Sequence, residues 1–88
     1  MPNVKKPIYR GIHELNEHQT KVMEFIISWV KEEKTPVPKK QIVIKMKEAG
    51  LKIDVIEWSL DVLLAKGYIR RGYTMKQNTT TYVQLRGL

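Results

Sequence analysis

The chain has 88 residues, of which 42% are hydrophobic, and a formal charge of +7 with no cysteine. That is enough apolar material for one small core and too little for a second domain, and a net positive charge of this size favours an anionic partner. The absence of cysteine excludes a disulfide framework, a thiolate metal site and a cysteine nucleophile, and His13 and His18 have no ligand partner at zinc-finger spacing. No apolar stretch approaches the ~20 residues that span a bilayer, and no apolar core follows the N-terminal lysines as in a signal peptide. The expectation is a cytoplasmic protein with no membrane segment, no metal and no cofactor.

The charge falls in blocks. Residues 1–10 carry +3, 11–35 carry −2, 36–52 carry +4, 53–66 carry −2 and 67–88 carry +4. Three basic segments therefore bracket two acidic ones, and the predicted elements follow the same divisions. Residues 1–12, with prolines at 2 and 7, read as a basic N-terminal arm carrying Lys5, Lys6 and Arg10, ahead of a domain over 13–88. Asn16 and Gln19 form a capping box by residue type. Val22, Met23, Phe25, Ile26, Ile27, Trp29 and Val30 then recur at helical spacing, giving helix 1 over about 17–33. Those side chains cover more than half the helix circumference, wider than one core-facing stripe needs, which points to a second covered surface such as another subunit.

Thr35-Pro36-Val37-Pro38 cannot continue a helix and reads as a short extended link, the short strand between helices 1 and 2. Pro38 can open helix 2 over 39–49, with Ile42, Val43, Met46 and Ala49 inward, Lys39, Lys40, Lys45 and Lys47 outward, and Gly50 just past the end. Asp54 and Glu57 make a second capping box by residue type, opening helix 3 over 55–66 with Ile56, Leu60, Leu63 and Leu64 on one face. After Gly67 the period changes to two. Residues 68–73 and 80–86 are β-branched and aromatic, with Gln77-Asn78 at the turn between them, which predicts a hairpin with Ile69, Val83 and Leu85 inward and Arg70 and Tyr82 more exposed. Whether Arg70 or Arg71 faces solvent depends on a register the sequence does not fix.

This order covers residues 16–86, and Ile56, Leu60, Leu63, Ala65-Lys66-Gly67-Tyr68-Ile69-Arg70-Arg71 is similar to the junction of recognition helix and wing in winged helix-turn-helix proteins. The chain resembles that superfamily. The resemblance implies an α+β fold of three helices with a C-terminal β-hairpin wing. It also implies that helix 3 enters the major groove of double-stranded DNA while the wing, residues 70–81, touches the backbone or minor groove. The expected function is DNA binding by a homodimer, in transcription regulation or replication. Lys39, Lys40 and Lys45 on helix 2 and Arg70, Arg71 and Lys76 on the wing would neutralise phosphates, Gln77 and Asn78 would hydrogen-bond from the wing tip, and Ser59 would contact DNA from helix 3. Tyr73 and Tyr82 beside the arginines suit stacking on bases, which keeps single-stranded nucleic acid as an alternative.

Helix 3 departs from the superfamily pattern. Its outer face presents Val55, Trp58 and Val62, where a groove reader usually carries hydrogen-bonding side chains, and Asp54, Glu57 and Asp61 lie on its flank. Three readings of the apolar face stay open: cover by the arm, an interface with a protein partner or a second subunit, or contact with thymine methyls. The second underlies an alternative function, a winged-helix protein interaction module. No enzyme is expected, because Ser28 and Ser59 lie in helical patterns without an activating histidine and no Gly-rich phosphate loop occurs.

Overall fold

A computed structural model describes residues 15–76 and 78–85. The elements run α1 (Glu17–Glu33), β1 (Val37–Pro38), α2 (Lys39–Glu48), α3 (Ile53–Ala65), β2 (Ile69–Thr74) and β3 (Thr79–Gln84). The three strands form one antiparallel sheet in the order β1-β3-β2, and the three helices pack against it and one another, giving a small α+β domain. The arm at 1–12, Gln77 and residues 86–88 lie outside the described residues.

Local chemistry accounts for each boundary. The capping box at the start of α1 forms as expected: the Asn16 side chain accepts from the Gln19 amide at 2.8 Å, and Gln19 Oε1 accepts from the Asn16 amide at 3.1 Å. α2 and α3 both stop in the same way. After α3, Gly67 sits at φ +80° while the Tyr68 amide donates to the Leu63 carbonyl and the Gly67 amide to that of Leu64. Gly50, at φ +94°, does the same after α2 with Met46 and Lys47. These are glycine-terminated Schellman motifs, which satisfy helix-end carbonyls at a backbone conformation that a side chain would strain. Tyr68 is itself buried against the core, so the motif turns the chain and anchors the hairpin.

The core joins Val22, Met23 and Ile26 of α1 to Val37, to Ile42 and Met46 of α2, to Ile56, Leu60 and Leu63 of α3, and to Tyr68, Ile69 and Tyr82. Phe25, Ile27, Trp29 and Val30 are partly buried against it, so much of the apolar width of α1 is used within the domain.

Several expectations require correction. α3 begins at Ile53 with Lys52 at the N-cap and no side-chain cap, so the Asp54–Glu57 capping box does not form. Asp54 instead accepts from the adjacent Val55 amide, and Glu57 pairs elsewhere. Pro38 is the N-cap of α2 as well as a strand residue, and Ala49, expected inward, is its exposed C-cap. The hairpin register places Ile69 opposite Gln84, Arg70 opposite Val83 and Arg71 opposite Tyr82. Ile69 therefore shares a face with Tyr82, which is 4% exposed, whereas Leu85 falls on the opposite face and is 53% exposed. The register decides which residues face inward, because side chains alternate along a strand.

Candidate nucleic-acid interface

β2 leaves the core after its first residue. Ile69 is buried, Arg70, Arg71, Gly72 and Tyr73 are exposed, and the tip beyond them carries Met75, 84% exposed, and exposed Lys76. Its partner β3 is buried at Thr81 and Tyr82, where β1 pairs with the other edge, so β2 is an exposed edge strand there and the hairpin is a two-stranded ribbon only beyond Gly72 and Thr81. Adjacent strand residues point to opposite faces, so Arg70 and Arg71 lie on opposite faces of the sheet. At the tip, Asn78 adopts φ +53° and its carboxamide oxygen accepts from the Tyr73 hydroxyl, so that oxygen is already engaged within the ribbon.

On α2 the lysines divide. Lys39 Nζ lies 3.1 Å from Glu57 Oε2 of α3, whereas Lys40 and Lys45 are exposed and make no ion pair among the described residues. A helix turns about 100° per residue, which is why neighbouring lysines serve different surfaces. Burial raises the Tyr82 phenol above its usual value of 10.0; the nearby cations of Lys39 and Arg71 oppose that shift and the carboxylates of Asp61 and Glu57 add to it. On the acidic flank of α3, Glu57 is paired with Lys39, and Glu57 and Asp61 lie in the surroundings of Tyr82 with Lys39 and Arg71.

Two groups of expected site residues come out differently. Ser59 is completely buried and its Oγ has no hydrogen-bond partner among the described residues, so it is unavailable to a nucleic acid in this conformation. It stands three residues after Ile56 and four before Leu63, which puts it within the inward stripe, a spacing the sequence already contained. On the outer face of α3, Trp58 is 52% exposed, but Val55 packs partly against the core and Val62 is half-buried. The apolar patch is one exposed indole flanked by two half-covered valines.

In the sequence Trp29 stands out only as part of the wide apolar face of α1. In the structure it lines two adjoining surface clefts, and its Nε1 is buried without a hydrogen-bond partner among the described residues. Among the described residues no cluster of His, Asp or Glu could hold a metal, and no helix is long and apolar enough to cross a membrane. No protein-family model, characterised protein or solved structure matches the chain.

Proposed function

We propose that this domain is a winged helix-turn-helix protein that binds double-stranded DNA, gripping the backbone with its projecting hairpin and the free lysines of α2, and that it serves in transcription regulation or replication. The observation that carries this reading is the exposed edge of the hairpin: Arg70, Arg71, Gly72 and Tyr73 are four consecutive exposed residues of β2, with exposed Lys76 at the tip beyond them. Cations on both faces of this edge strand suit phosphate neutralisation, since each contact releases condensed counterions.

Lys40 and Lys45 supply further charge from α2, while Lys39 is held by Glu57. α3 contributes little readout of base edges. Its outer side is Trp58 with half-buried valines, and Ser59 is inside, which favours a docking mode led by the hairpin and weak sequence discrimination.

The test is fluorescence anisotropy of a labelled duplex with the wild-type protein and with an Arg70→Ala, Arg71→Ala, Lys76→Ala variant whose fold is checked by circular dichroism. Salt-sensitive binding that the folded variant loses supports the reading; equal binding by both proteins, or none at low salt, overturns it. The exposure of Trp58 favours a second reading, a protein-docking module or dimer contact on α3. In that case Trp58→Ala abolishes association while leaving any DNA affinity unchanged.

A further inference from the structure

The sheet has a second face, opposite the one closed by Ile69, Val37 and Tyr82. The register aligns Thr74 with Thr79, Gly72 with Thr81, and Pro38 with Thr81, so Thr74, Thr79, Thr81, Gly72 and Pro38 share that face, with Arg70 farther along it opposite Val83. Two adjoining clefts open there. One, about 370 Å³, is lined by Trp29, Pro38, Lys40, Gln41 and Thr79; the other, about 320 Å³, is lined by Trp29, Thr35, Pro36, Pro38, Thr74 and Thr81. Trp29 and Pro38 belong to both. Each cleft alone falls in the size range of small-ligand pockets.

The lining is selective in its chemistry. An indole and proline rings offer flat apolar surface, the Thr79 hydroxyl, which donates to the Thr80 carbonyl at 3.4 Å, is left to accept, the Gln41 amide can donate and accept, and Lys40 brings a cation with no ion-pair partner among the described residues. Gly72 leaves room beside Thr81, since a Cβ there would stand 3.3 Å from Thr81 Oγ1. The buried Nε1–H of Trp29 has no acceptor among the described residues, which leaves a donor unused in the side chain that joins the two clefts. An aromatic plate, hydroxyl and amide groups for a base edge, and a cation for a phosphate are the requirements of one unstacked nucleotide.

We propose that this face holds an unpaired nucleotide at the end or junction of a DNA strand, its base against Trp29 and Pro38, its edge on Thr79 and Gln41, and its phosphate on Lys40. The proposal rests on the DNA-binding reading and narrows its partner from plain duplex to duplex with a single-stranded flank.

The test uses the full chain carrying Trp58→Phe, which leaves Trp29 as the only tryptophan. A blunt duplex, the same duplex with a three-thymidine overhang, and thymidine monophosphate are compared by anisotropy or competition, with tryptophan emission recorded in parallel. The overhang is expected to tighten binding by about five- to 150-fold, the worth of one base stacked on an aromatic side chain, and to quench Trp29, whereas the blunt duplex does neither. Thymidine monophosphate is expected to compete only weakly, because it lacks the flanking duplex. Adding Thr79→Val and Gln41→Leu should erase the overhang preference and keep blunt-duplex affinity. Equal affinity for both duplexes, unchanged Trp29 emission, or an overhang preference that survives the double substitution overturns the proposal while leaving duplex binding intact. Overhang binding with quenching but no affinity for blunt duplex supports the cleft and removes the duplex reading instead.

Discussion

Lys39 Nζ stands 3.1 Å from Glu57 Oε2, tying the first residue of α2 to the outer flank of α3. Both side chains are more than a third exposed, so the pair is a surface ion pair of small worth, between roughly 0 and 1 kcal/mol. Its larger consequence is to withdraw one cation from an otherwise basic surface.

Glu57→Gln should therefore change unfolding free energy by less than about 1 kcal/mol while freeing Lys39 for phosphate. Duplex affinity should rise at low salt, and the slope of log K against log salt should steepen by about one. Urea denaturation and anisotropy on the same variant separate the two effects; an unchanged salt slope would place Lys39 away from the DNA.

Ser59→Ala removes a buried hydroxyl that has no partner among the described residues and puts a better helix former in α3. Stability should increase by about 1 kcal/mol, a rise in melting temperature of roughly 4–8 °C for a domain of this size. DNA affinity should not change. A loss of affinity with stability retained would return Ser59 to the interface.

The helices were largely legible in the sequence, because capping chemistry and apolar spacing are local. Asn16 and Gln19 start α1 as their residue types indicate, and Gly50 and Gly67 stop α2 and α3 at positive φ. The hairpin faces were not. Strand pairing decides them, and the true register put Tyr82 inside and Leu85 outside, the reverse of the pattern suggested by hydrophobicity alone. Asp54 misled for a related reason: its residue type suits an N-cap, but Ile53 already belongs to the helix. The basic site residues were legible as charge, whereas the pairing of Lys39, the engagement of Asn78 by Tyr73 and the role of Trp29 in two clefts are tertiary facts with no local signature.

Tyr82 gives a pH dependence with a defined sign. Its phenol is raised above 10.0 in the folded state, chiefly by burial, so the unfolded chain loses the proton first as pH rises. The contribution is complete below about pH 10, the ordinary tyrosine value, and is lost as pH climbs from there through the folded value. Tyr82→Phe should flatten this part of the alkaline fall in stability, measured by denaturant titration from pH 8 upward. An identical fall in both proteins would mean that the ionisation of Tyr82 does not contribute.

Gly67→Ala should destabilise the domain by about 1–2 kcal/mol, because φ +80° costs an L-residue that much. The space around the position is open, so the penalty is conformational rather than steric. Thermal melting checks it; no change would mean the turn relaxes to another conformation.

The slope of log K against log salt concentration for the wild-type chain on a short duplex tests the central claim most directly. Contacts by Arg70, Arg71 and Lys76, with Lys40 and Lys45 adding from α2, correspond to a slope of about −3 to −5 at roughly −0.9 per phosphate neutralised. A slope in that range, falling to about −2 or flatter in the Arg70→Ala, Arg71→Ala, Lys76→Ala variant, is the expected result. A slope near zero, or no duplex binding at low salt, would contradict the account and turn attention to protein partners of Trp58.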